Sequence, residues 1–184
     1  MSEQAAATTY DVVLLVEQAL SDLDGQQVRS LHEDLPDPVR YHVLVPVDDA
    51  AGQIEAAMGA LATGDVLVAP PTMLSPDEMA EIQHDLLDEA RRSVKDSVAA
   101  LERAGGTAIG EIVTSDPIDA LAAKVTQVEA AEVIVLTQPH VVAEFFHRDW
   151  TSRARRKLGV PVLHLLEHER FDEQAGSGEG VTGL

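Results

Sequence analysis

The sequence predicts an α/β fold: a single open sheet of five parallel strands with helices on both faces. Three observations carry this expectation. Five short runs rich in Val, Ile and Leu have strand length, and stretches with helical spacing separate them. The first and fourth runs are nearly unbroken, as strands buried on both faces are. The chain has 184 residues, 45% of them apolar, enough for one closed core and too apolar for a disordered chain.

The first strand is read at Asp11–Glu17 (DVVLLVE). After it, Leu20, Leu23, Val28, Leu31 and Leu35 keep a helical spacing that Pro36 ends. The second strand is Tyr41–Val47 (YHVLVPV). Residues 48–74 interrupt the alternation: Ile54, Ala57, Met58 and Leu61 suggest a small helix, and GDVLVAPP (64–71) reads as a loop with an apolar plug. A long helix then opens with the clearest start signal in the chain. Ser75 caps it, Pro76 suits its first position, Glu78 completes a capping box, and Leu74 and Met79 occupy the staple positions. Its stripe is Ile82, Leu86, Ala90, Val94, Val98 and Leu101, and Gly105-Gly106 ends it.

The third strand, Thr107–Val113, alternates more than the others and belongs nearer an edge. Ser115-Asp116-Pro117 starts another helix, with Ile118, Leu121, Ala122 and Val125 on its apolar side. The fourth strand is Glu132–Thr137 (EVIVLT). A short helix near Trp150 to Leu158 places Trp150, Ala154 and Leu158 on one face and stops at Gly159; the fifth strand is Val160–Leu166. Residues 1–9 and 171–184 are expected to be disordered, the first small and polar, the second rich in Gly and acid. That leaves one domain over 10–170 with an inserted loop at 48–74.

Charge and composition narrow the function. The formal net charge is −19, from 13 basic and 32 acidic residues. Such a surface repels phosphate polymers, so nucleic acid and anionic membrane are not expected partners. With no Cys and no Asn, disulfides, thiolate metal sites and N-glycosylation are excluded. No run reaches the roughly 18 apolar residues of a membrane span. The N-terminus MSEQAAATTY lacks the pattern of a signal peptide, and a cytoplasmic protein is expected. No Gly-Lys pair, Gly-x-Ser-x-Gly elbow or His-Glu-x-x-His motif occurs. Gly178-Glu179-Gly180-Val181-Thr182-Gly183 spells a dinucleotide fingerprint, but it stands in the terminal tail with no helix after it.

The order of parts resembles the universal stress protein family over about residues 10–168. The first strand ends in an acid (LLVE, Glu17), where the family shows Val-Asp. Ser115-Asp116-Pro117 stands where the family has Gly-Asp-Pro. EVIVLT answers a strand like Leu-Ile-Val-Met-Gly, and Gly159-Val160-Pro161-Val162-Leu163 answers Cys-Pro-Val before the last strand. The resemblance implies the adenine-nucleotide-hydrolase-like sheet, with strand order 3-2-1-4-5, reversing between the first and fourth strands. Ligands bind outside the carboxyl ends of strands at such a reversal. It also implies a homodimer along the last strand, Val160–Leu166, and a stress-linked regulatory role.

Family members that bind ATP hold its base near the ends of the first two strands. Their phosphates lie on a Gly-x2-Gly-x9-Gly-Ser/Thr loop after the fourth. Here the three glycines fall on Thr137, His140 and Trp150, and only Thr151 matches. Counting back from Pro161 puts Arg148-Asp149 at the Gly-Ser position, and either register lacks every glycine. Glycine lets backbone N–H groups approach phosphate closely. The segment QPHVVAEFFHRDW instead carries Phe145, Phe146 and Trp150. The expected reading is therefore a regulatory or binding module with weak or absent ATP binding and no resident cofactor. Its candidate cleft is Glu17, Thr137, His140, Arg148 and Thr151. Two alternatives stand beside it: a nucleotide-binding switch or hydrolase in the same cleft, with ATP or another adenine nucleotide bound weakly, and a structural subunit of a larger assembly.

No catalytic residue and no metal set is nominated. His140 and His147 flank the aromatic segment and read as surface or hydrogen-bonded histidines. Arg153, Arg155, Arg156 and Lys157 suit the last turn of a helix, whereas Arg148 precedes that helix at the expected cleft mouth.

Overall fold

The computed structural model describes residues 9–47, 75–137 and 158–166. In chain order they form β1 (Tyr10–Val16), α1 (Asp22–Ser30), β2 (Val39–Pro46), α2 (Pro76–Arg103), β3 (Thr107–Val113), α3 (Pro117–Val128), β4 (Glu132–Thr137) and β5 (Val162–Leu166). The strands make one sheet in the order β3-β2-β1-β4-β5, and every pairing is parallel. The expected fold class and strand order are those observed. The expected N-terminal segment apart from Thr9, the insertion 48–74, the short helix before Leu158 and the tail 171–184 lie outside the described residues.

Alternation along the strands divides the core in two. Val12, Leu14 and Val16 of β1 face a layer that includes Val28 of α1 and Ala90, Ala100 and Leu101 of α2. Val13 and Leu15 face the opposite layer, with Leu121 and Val125 of α3 and Leu158. Right-handed crossovers require this split. The steps β1 to β2 to β3 run one way and put α1 and α2 on one face, and the return to β4 puts α3 on the other. The central β1 is thus buried on both sides from Val12 to Val16, and each such side chain contributes about 1.5–3 kcal/mol by leaving water. The edge strand β3 keeps the alternating exposure its sequence predicted.

α1 is shorter than its leucine spacing predicted. It starts after Ser21, whose hydroxyl accepts the Asp24 N–H at 3.2 Å while Asp24 Oδ2 accepts the Ser21 N–H at 2.8 Å. This capping box went unread beside the more conspicuous one at Ser75 and Glu78, which is present as expected. Leu20 lies before α1, while Leu31 and Leu35 lie beyond it and are partly exposed at 38% and 36%. His32 takes the inward place instead, at 3% exposed. Strand ends shift by one or two residues: β1 begins at Tyr10, β2 at Val39 and β5 at Val162.

Two glycines allow close packing. A Cβ on Gly25 of α1 would stand 2.8 Å from the Ala100 carbonyl oxygen of α2. One on Gly110 of β3 would stand 2.5 Å from Val94 Cγ1 and 3.0 Å from Val98 Cγ2. α2 is therefore held against both α1 and β3. Its 28 residues span about 42 Å. The seven-residue β3 it leads into spans only about 23 Å. The helix overhangs the sheet: Ala90 is the first buried residue among those whose burial is described. That overhang forms one side of the hollow described next.

Candidate functional site

β1 ends at Val16, and the Glu17 N–H donates to the Leu136 carbonyl of β4 at 3.3 Å. Val16 pairs with Leu136, so Glu17 and Thr137 stand at the heads of adjacent strands, as the sequence placed them. The chain leaves the sheet here through Glu17, Gln18 and Ala19. These residues, the β2 end at Val45 and Pro46, and the α2 residues Leu86, Glu89, Ala90 and Ser93 enclose a hollow of 330 Å³. It lies on the β2 and α2 side of Glu17. The sequence had paired Glu17 with the β4 side of the reversal. The difference arises because α2 overhangs the strand ends and supplies a wall there.

The chemistry of the hollow follows from its lining. Val45, Pro46, Leu86 and Ala90 offer apolar surface to a flat or aliphatic group. Glu17 and Glu89 place two carboxylates on it, with the Gln18 amide and the Ser93 hydroxyl between them in character. No Lys or Arg is among the described lining residues. Carboxylates, amide and hydroxyl accept hydrogen bonds from hydroxyl or amino groups. His140, Arg148 and Thr151, the other members of the expected cleft, lie outside the described residues, as do Phe145, Phe146 and Trp150. Among the described residues no group of three His, Asp or Glu could hold a metal ion, and no helix is long and apolar enough to cross a membrane.

Two histidine–carboxylate pairs stand at the other end of the sheet, where the strands begin, and the sequence reading singled out neither. His42 Nε2 lies 2.7 Å from Asp11 Oδ1 on the α3 face. On the opposite face His32 Nε2 lies 2.5 Å from Glu132 Oε1, and its Nδ1 lies 3.0 Å from the Tyr41 hydroxyl. The Glu132 carboxylate accepts, which assigns an Nε2–H that donates to it. The Val28 carbonyl is also 3.0 Å from Nδ1. Tyr10 donates to Glu132 Oε2 at 3.4 Å. Burial pushes the Tyr41 phenol up to about 12; the Arg29 charge opposes this and the Glu132 charge adds to it. Tyr10 is raised for the same first reason, with Glu132 adding to it. These groups join the end of α1 to the starts of β1, β2 and β4, and nothing ties them to the hollow.

A second hollow, of 440 Å³, runs along α1 and is lined by Leu23, Gln26, Gln27, Arg29, Ser30, Glu33 and Ala104. It lies between α1 and the end of α2, away from the strand reversal, and its polar groups are Gln26, Gln27, Arg29, Ser30 and Glu33. The strand-end hollow is the better candidate because its walls come from three separate elements meeting at a topological switch.

No family model and no curated protein matches the sequence. Solved structures do resemble the fold. The universal stress protein UspA from Lactobacillus plantarum aligns over 86% of this chain and 99% of its own, with a TM-score of 0.52 and 13% identity. The fold is that of the universal stress proteins. The hypothetical protein MJ0577 aligns over 88% of this chain and 99% of its own, with a TM-score of 0.56 and 14% identity. The described residues thus share the universal stress fold, at identities too low to carry any residue's role.

Proposed function

We propose that this chain is a universal-stress-type binding or regulatory module whose strand-end hollow takes a ligand without phosphate charge. ATP binds weakly or not at all. The observation that supports this is the lining: apolar surface from Val45, Pro46, Leu86 and Ala90 beside the acceptor groups of Ser93 and Glu89. The absence of every glycine from the expected phosphate segment points the same way. A nucleoside or a similar hydroxyl-bearing ring suits the apolar floor and the acceptors on the rim.

A thermal-shift series with adenosine, AMP and ATP tests the reading. The expected order of stabilisation is adenosine first, AMP lower, ATP last or without effect. A one-site ligand at a hundredfold excess over its dissociation constant stabilises by about 2.7 kcal/mol. For a domain of this size that is a shift of about 5–10 °C. The reverse order, with ATP strongest, would overturn the reading in favour of a nucleotide-binding switch.

We also propose that the domain pairs with a second copy along Val160–Leu166. β5 is an edge strand, and Leu163 on it is 37% exposed. A dimer would cover both the ladder groups and this side chain. The other edge carries Ile109, 56% exposed, and offers the control. Light scattering after size exclusion should give a dimer mass for the wild type and for Ile109→Lys, and a monomer mass for Leu163→Lys. A dimer lost only in Ile109→Lys would move the interface to β3.

A further inference from the structure

We infer that Ser97 is the positioning residue of the strand-end hollow: its hydroxyl fastens the loop wall to the helix wall and sets the hollow's shape before any ligand arrives. This rests on reading the hollow as a binding site. Ser97 lies within α2 and is fully buried. A serine inside a helix usually faces water or bonds to the carbonyl one turn back. Here Ser97 Oγ accepts the N–H of Leu20 at 3.0 Å, across 77 residues of chain.

The position of that bond gives it its role. Leu20 directly follows Glu17, Gln18 and Ala19, the loop residues that line the hollow. Ser97 is one helical turn beyond Ser93 and two beyond Ala90 and Glu89, which line it from the other side. The bond therefore joins the two walls just below the hollow. Leu20 is only 4% exposed, lies beyond the last residue of β1 and precedes the cap of α1. Its N–H is too late for the sheet ladder and too early for the helix, and Ser97 is its recorded acceptor.

The neighbouring anchors show why this one matters. The Glu17 N–H is held by β4 through Leu136, and the Ser21 N–H by Asp24 of α1 itself. Of these three, only the Leu20 bond reaches α2. Without it the loop loses the one of these three anchors that sets its register against Glu89, Ala90 and Ser93. A buried N–H with no acceptor draws the loop outward to water. A preformed wall spares a ligand the cost of ordering it, so the change should appear in affinity as well as in local opening.

The test compares wild type, Ser97→Ala and Val125→Ala, the last a core truncation on the opposite face that lowers stability without touching the loop. Amide hydrogen exchange is read at Leu20 against Leu14 in β1, with adenosine titrated into each protein. Ser97→Ala should speed Leu20 exchange at least tenfold relative to Leu14 and weaken adenosine about tenfold, while Val125→Ala changes neither ratio nor affinity. Unchanged relative exchange at Leu20 in Ser97→Ala would overturn the inference, and so would faster exchange with unaltered adenosine affinity. Wild-type protein that binds no adenosine, yet shows the Leu20 effect, would defeat the ligand reading and leave the fastening in place.

Discussion

Gly25→Ala is expected to lower the stability of the domain by about 2–3 kcal/mol. The sign is the informative part. Alanine is the better helix former by about 1 kcal/mol, so at an exposed site in α1 the same change would stabilise. Gly25 is buried in the first turns of α1, and the added carbon would meet the Ala100 carbonyl oxygen at 2.8 Å and its carbon at 2.9 Å. These are backbone atoms of α2, which no rotamer change can move. Relief requires α1 to lift from α2, opening the layer that Val28 and Leu101 fill. Overpacking of this kind outweighs the gain in propensity. Denaturant unfolding checks it, with Gln26→Ala on the exposed side of the same helix as control, expected within about 0.5 kcal/mol of wild type. The melting temperature of Gly25→Ala should fall by about 5–10 °C. A stabilised variant would mean that α1 does not seat on Ala100.

The architecture was legible because its signals repeat. Val12 to Val16 and Val133 to Leu136 are runs that only a doubly covered strand needs, and Pro36, Gly105 and Pro117 punctuate the helices between them. The start of α2 was readable from Ser75, Pro76 and Glu78 because capping is local chemistry. The α1 boundaries were not, because Leu20, Leu31 and Leu35 keep helical spacing while His32, a polar residue, holds the inward place. Its partner Glu132 is 100 residues away, a distance that no window along the chain spans.

Of the strand-end hollow's surroundings, one residue was legible. Glu17 follows from the end of a strand, but Glu89, Ser93 and Ser97 do not. They stand beside an apolar stripe that reads completely without them, and only the overhang of α2 brings them to the strand ends. Two serines four residues apart, on the inner side of a long amphipathic helix, were the available signal. Tyr41 was readable as a strand residue and Tyr10 only as the residue before one; they were not readable as a pair, because they meet through His32 and Glu132.

That pair is the basis of the other large expected effect: stability should fall steeply above pH 10. The chain has two tyrosines, Tyr10 and Tyr41, and both are raised above 10 in the folded protein, Tyr41 to about 12. The unfolded chain loses its phenolic protons near 10, while the folded one keeps them. Above that pH the unfolded state binds fewer protons, so the free energy of unfolding declines as pH rises. The contribution is intact below 10 and is lost between about 10 and 12. Two units at Tyr41 amount to about 3 kcal/mol.

Absorbance at 295 nm and far-ultraviolet circular dichroism, followed together, read the outcome. Phenolate should appear with the loss of helix, in one transition above pH 10. Tyr41→Phe separates this from the titration of Lys and Arg. It removes the hydroxyl beside His32 Nδ1, which costs about 1–2 kcal/mol at neutral pH. The alkaline arm should become shallower, so wild type and variant converge as pH rises. Phenolate that forms at pH 10 while the helical signal stands would show that water reaches Tyr41. The closed contact between α1, β2 and β4 would then be wrong at its centre.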